Sequence, residues 1–113
     1  MHLIPTSKKV HGKEVFLEEH AFKRISERGI SIDAVVSTIR RPCELYIERK
    51  YKPLFSHMKR YVAMQIRDDM VNIVVYDEDE IVVVITSWSM KSMERYNRYK
   101  ERRLRDNTWI RLV

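Results

Sequence analysis

Residues 18 to 31, EEHAFKRISERGIS, place His20, Arg24 and Arg28 four residues apart, about one helical turn each. An imidazole titrates near neutrality and can take or give a proton, and a guanidinium grips phosphate through paired N–H groups. One histidine followed by two arginines is a set suited to metal-independent RNA cleavage. His20 would act as base or acid, and Arg24 and Arg28 would clamp the phosphate and its developing charge. Tyr61 and Thr86 are the hydroxyls that would line the same groove. A plainer reading stands beside each. The arginines can pair with Glu19, Glu27 or acids of a sheet. Tyr61 can be a cross-strand packing residue, Thr86 a strand-end hydroxyl, and His57 an ordinary loop histidine.

For these side chains to share a surface, a helix must lie over a sheet. From about Phe16 to Arg28 the apolar Ala21, Phe22 and Ile25 fall on one helical face, with Gly29 as the C-cap. His20, Arg24 and Arg28 occupy a flank of that face. Ser31 caps a second helix with Asp33 in its first turn and Ile32, Val35, Val36 and Ile39 as its stripe. Arg40-Arg41-Pro42 closes it.

Residues 43 to 48 alternate as a half-buried strand, with Cys43 expected as a small core hydrophobe. The stretch from Arg49 to Lys59 is a long basic loop containing His57. Residues 60 to 67 alternate again, Asp68-Asp69 turns the chain into residues 70 to 76, and Asp77 to Glu80 reads as a solvated hairpin tip. The β-branched run Ile81 to Thr86 suits a strand covered on both faces. Ser87 or Ser89 would cap a last helix from about Met90 to Leu104. Residues 1 to 16 carry one turn signal, His11-Gly12, and read as an arm or a first strand. The expected fold is α+β: two N-terminal helices on one face of a four-stranded antiparallel sheet with residues 81 to 86 central. Residues 17 to 88 form its core and 89 to 113 a basic helix and tail.

Composition bounds the function. A chain of 113 residues with 44% hydrophobic and 34% charged residues is a single globular domain. No apolar run approaches a membrane span and the start MHLIP lacks the pattern of a signal peptide, so no membrane partner and a cytoplasmic location are expected. One cysteine and four scattered histidines offer no metal site, and no cofactor is expected. Two glycines leave no phosphate-binding loop. The net charge of +6 points to RNA or another polyanion. Arg95, Arg98, Arg102 and Arg105 recur at helical spacing and should form one nucleic-acid-binding face. Tyr96, Tyr99 and Trp109 are interleaved with these basic residues. An interface with an acidic protein is the alternative use of the same charge.

The order His20-Ala21, Arg24, Arg28-Gly29-Ile30-Ser31, then Val35, Ile39 and Pro42, then a strand ending Val83-Val84-Ile85-Thr86, resembles the small domains grouped with RelE-type and BrnT-type toxins. The resemblance covers roughly residues 17 to 88. It implies a RelE-like helix pair on an antiparallel sheet, acting as an endoribonuclease on free or ribosome-bound RNA and neutralised by an acidic antitoxin. A non-catalytic RNA-binding or protein-binding module on the same scaffold is the other function it allows. The chain departs from the pattern in its basic extension after residue 88 and in the histidine-containing loop.

Overall fold

The computed structural model describes residues 2–113. It opens on a hairpin, so of the two expectations for this stretch, an arm or a first strand, the strand is the one found. β1 (Leu3–Val10) and β2 (Lys13–Glu18) pair antiparallel across His11 and Gly12, whose φ of 57° and 74° make the two-residue turn that matches strand twist. Val15 and Leu17 of β2 point into the core, which carries the strand through Glu18, past Phe16 where the first helix was expected to begin. That helix, α1 (Glu19–Arg28), starts three residues later than its apolar face predicts. The Glu18 carboxylate accepts from the His20 N–H at 2.9 Å, and Gly29, at φ 67°, donates to the carbonyls of Ile25 and Ser26. Ser31 Oγ then accepts from Ala34 N–H at 3.0 Å to start α2 (Ile32–Arg40), as its serine and acidic first turn require.

β3 (Glu44–Glu48), β4 (Lys59–Arg67), β5 (Met70–Glu78) and β6 (Val82–Met90) form an antiparallel meander, followed by α3 (Met93–Arg105) and the short β7 (Trp109–Arg111). Asp68 and Asp69, both at positive φ, turn β4 into β5. Ser92, not Ser87 or Ser89, caps α3, because both of the earlier serines are still inside β6.

The expectation of a four-stranded antiparallel sheet is corrected here. The sheet has seven strands in the order β1-β2-β6-β5-β4-β3-β7, and β2 runs parallel to β6. The physical reason lies in β6 itself. Val82, Val83 and Val84 are fully buried, and such a strand left at the edge of a four-stranded sheet would expose a row of unpaired backbone groups. β2 fills that edge, and β5 rather than β6 becomes the middle strand of the seven.

The helices also divide. α1 and α2 cover one face, packing Ala21, Ile25, Val35, Val36 and Ile39 against Ala63, Val74, Tyr76 and Val84 of the sheet. α3 covers part of the other face over Tyr46, Val62, Met64, Ile73 and Trp109. Side-chain alternation is reset at a bulge in β6: Val75 faces Thr86 whereas Tyr76 faces Val84, leaving Ile85 as the extra residue.

Two further readings are overturned. Cys43 is exposed rather than in the core, because it sits just before β3, where only its backbone N–H engages the sheet, at the Met64 carbonyl. Asp77 is no solvated tip: β5 continues through Glu78, and the Asp77 side chain is fully buried against Arg60.

Candidate nucleic-acid interface

The five residues proposed for cleavage do not assemble. His20 is exposed in the first turn of α1, and no hydrogen bond or ion pair engages its ring among the described residues. Arg24 is exposed one turn on. Arg28, at the far end of the helix and about 12 Å along its axis from His20, sends Nη1 down to the Ser87 carbonyl at 2.6 Å. The row follows the helix instead of converging. Tyr61 lies on β4, separated from β2, the strand leading into α1, by β5 and β6. Three strand spacings amount to about 14 Å, and its ring stacks on Tyr76 at 5.4 Å. Thr86 pairs with Val75, which packs on the α3 side, so its side chain points to the face opposite α1. His57 is an exposed loop residue, 3.8 Å from Asp79.

The four arginines expected to bind nucleic acid do share one surface. At about 100° per residue, Arg95, Arg98, Arg102 and Arg105 span an arc of about 80°. All four are exposed, and no carboxylate pairs with any of them among the described residues. Glu94 and Glu101 stand at helical spacing from Arg98 and Arg105 without closing an ion pair. The opposite side of α3 faces the sheet through Tyr96, Tyr99, Lys100 and Leu104. Two of its basic residues are spent there: Arg103 lies over the Tyr99 ring at 4.8 Å, and Lys100 reaches Glu44.

Glu44 is what fixes α3 on the sheet. Its Oε1 accepts from Tyr46 Oη at 2.8 Å and from Tyr96 Oη at 2.7 Å, and its Oε2 from Lys100 Nζ at 3.1 Å. Burial alone would raise the carboxyl pKa. The hydrogen bonds from Tyr96, Tyr46 and Lys100 together outweigh it and hold the group below its ordinary value. Burial, and next the contact with Glu44, push Tyr46 up to about 12 and raise Tyr96 as well.

Both shifts become pH dependence. A depressed carboxylate pKa contributes stability that is complete above the ordinary value of 4.5 and is lost as pH falls through the folded-state pKa. A raised phenol pKa contributes stability that is complete below the ordinary value of 10 and is lost as pH rises towards about 12. Urea unfolding of Glu44→Gln across the acid range should therefore show a shallower loss of stability than the wild type. Parallel acid limbs for the two proteins would remove Glu44 from this role.

A second basic segment lies on the same side of the sheet as α3. Asp77 follows Tyr76, whose ring belongs to the α1–α2 side, so by strand alternation Asp77 points to the α3 side. There it accepts from the Leu54 backbone N–H at 2.7 Å, holding the loop of residues 49–58 against that face. The other end of the loop is tied to the chain leaving α3, where Arg49 N–H donates to the Thr108 carbonyl at 2.7 Å. The loop exposes Lys50, Tyr51, Lys52, Phe55 and His57, with Phe55 and His57 stacked at 5.9 Å. Its basic character was legible in the sequence. Its place beside α3 was not, since it depends on Asp77 and Thr108, which no local pattern marks. Among the described residues no helix is long and apolar enough to cross a membrane.

No family model, curated protein or solved structure matches this chain, and the likeness to RelE-type and BrnT-type toxins rests on the motif residues alone.

Proposed function

We propose that the protein binds RNA, without cleaving it, through the exposed arginine face of α3 and the adjoining basic, aromatic loop. The observation that carries this reading is the arc of Arg95, Arg98, Arg102 and Arg105, four cations on one helical face with no carboxylate partner among the described residues. Such a face neutralises phosphates in any sequence and releases their counterions. Tyr51 and Phe55, 53% and 38% exposed, add flat apolar surfaces on which unpaired bases can stack. That addition favours single-stranded RNA over an acidic protein, which would use the charge but not the rings. A ribosomal or free transcript in the cytoplasm belongs to the same proposal. The endoribonuclease reading would need an acid and a base beside the phosphate, and Tyr61 and Thr86 supply neither near His20.

The test is to incubate the protein with a fluorescein-labelled single-stranded RNA and to follow both anisotropy and strand length. The RNA should be bound and recovered intact, and His20→Ala should bind as the wild type does. Cleavage that His20→Ala reduces by about 10²-fold or more, the usual contribution of a positioned acid or base, would overturn the non-catalytic reading.

A further inference from the structure

On the α1–α2 side, the sheet changes character along its strands. One row in register across β4, β5 and β6 is Ala63, Val74 and Ser87, and the next is Gln65, Asn72 and Ser89. Beyond it, Arg67 pairs with Met70 at the base of the Asp68-Asp69 turn. The first row is buried under the helices. The second is polar, and the turn between α1 and α2 leaves most of it uncovered, so that an open groove of about 800 Å³ lies between that turn and the β4–β5 hairpin.

The groove's polar groups are arranged for an anion. Arg28 Nη1 is tied to the Ser87 carbonyl at 2.6 Å, which fixes the guanidinium at the groove and leaves its other N–H groups without partners among the described residues. Arg67, from the opposite wall, takes part in no ion pair or side-chain hydrogen bond among the described residues. On the floor, Ser89 Oγ donates to Asn72 Oδ1 at 2.7 Å. That bond orients the Asn72 amide and leaves its NH₂ free to donate. Gln65 belongs to the same row but is already occupied, donating to the Ser37 carbonyl of α2 and to the carbonyl of its C-cap Arg41. Among the described residues the only carboxylate lining the groove is Asp68, at the hairpin tip. Two guanidinium groups from facing walls and one amide donor between them match the oxygens of a phosphate. The groove is larger than a phosphate needs and lies within the range of sites that hold ligands of nucleotide size.

We propose that this groove binds a nucleotide phosphate, held by Arg28 and Arg67 and oriented by the Asn72 amide. It lies on the face of the sheet opposite α3 and does not rest on the arginine surface there. The phosphate has two sources, a free mononucleotide or a nucleotide within a strand.

Titration of the isotope-labelled protein with uridine 5′-monophosphate, followed by NMR, is the direct test. The backbone signals of Gly29, Ser31 and Met70 and the side-chain amide of Asn72 should move. Uridine at the same concentration should leave them in place, and inorganic phosphate should bind more weakly than the nucleotide. Arg67→Gln, at the exposed end of a hairpin, should weaken the nucleotide about tenfold or more, the size of a lost charge-assisted bond. Asn72→Asp, which keeps the acceptor for Ser89 and places a negative charge on the floor, should weaken it further. A melting curve for each variant separates these losses from unfolding. A uridine decamer titrated in parallel identifies the source: weakening of both ligands by Arg67→Gln assigns the site to any nucleotide phosphate, and weakening of the decamer with a detectable but smaller effect on the monophosphate assigns it to the strand. Substitution of Arg98, Arg102 and Arg105 should leave monophosphate binding unchanged, so failure here is distinct from failure of the α3 reading. Equal monophosphate affinity in Arg67→Gln and wild type, or inorganic phosphate binding as tightly as the nucleotide, would overturn the proposal.

Discussion

Asp77→Ala should lower the unfolding free energy by about 3–5 kcal/mol, the cost of leaving one member of a buried ion pair alone. The Asp77 side chain is fully buried and that of Arg60 is 11% exposed. Two charge-assisted bonds, from Arg60 Nε at 2.7 Å and Nη2 at 3.1 Å, and a third bond from Leu54 N–H at 2.7 Å converge on one carboxylate. Alanine removes all three acceptor contacts at once and strands a guanidinium away from water. Asp79→Ala, two residues on at an exposed site, should change stability by no more than about 0.5 kcal/mol. The double replacement Arg60→Leu with Asp77→Leu should recover much of the loss, because an apolar pair has no charge to desolvate. Urea unfolding of the four proteins decides it, and Asp77→Ala as stable as Asp79→Ala would show that the pair contributes nothing. The same change should free the 49–58 loop, which Asp77 holds through Leu54, and expose Lys50 and Lys52 to faster cutting by trypsin in the folded protein.

Where local chemistry decides structure, the sequence could be read. Gly29 and Ser31 mark the end of α1 and the start of α2 because a left-handed cap and a serine acceptor are local requirements. The alternation of residues 60 to 67 and the Asp68-Asp69 turn give the β4–β5 hairpin for the same reason. The burial of Val82 to Val84 on both faces was also visible as an unbroken β-branched run. Such a strand needs a neighbour on each side, and β2, far from it in sequence, is that neighbour. Val15 and Leu17 carry a strand alternation, but Leu17, four residues before Ala21, also fits the edge of the helical stripe of Ala21, Phe22 and Ile25, so periodicity alone could not place the boundary. β7 is three residues long, too short for any pattern to show.

The sites follow the same division. The arginine face of α3 is a spacing within one helix, and spacing survives folding. His20, Tyr61 and Thr86 required three elements to meet, and the bulge at Ile85 resets the alternation that would decide where Thr86 points. Asp77 sits inside an acidic run, and nothing in that run distinguishes the one residue that Arg60, seventeen positions away, draws into the interior. Arg67 and Asn72 come from adjacent strands and reach Arg28 only through the stacking of α1 on β6.

The arginine face of α3 is tested most directly by the salt dependence of RNA affinity. The apparent affinity of the wild type for a labelled single-stranded RNA, plotted as log K against log salt, should fall with a slope set by the number of phosphates neutralised, about −0.7 for each on a single strand. In the variant carrying Arg98→Gln, Arg102→Gln and Arg105→Gln, the slope should be shallower by about 2, with weaker binding at low salt and an unchanged melting temperature, since all three side chains are exposed and unpaired. A slope equal to that of the wild type would contradict the assignment and leave the α3 face to a protein partner.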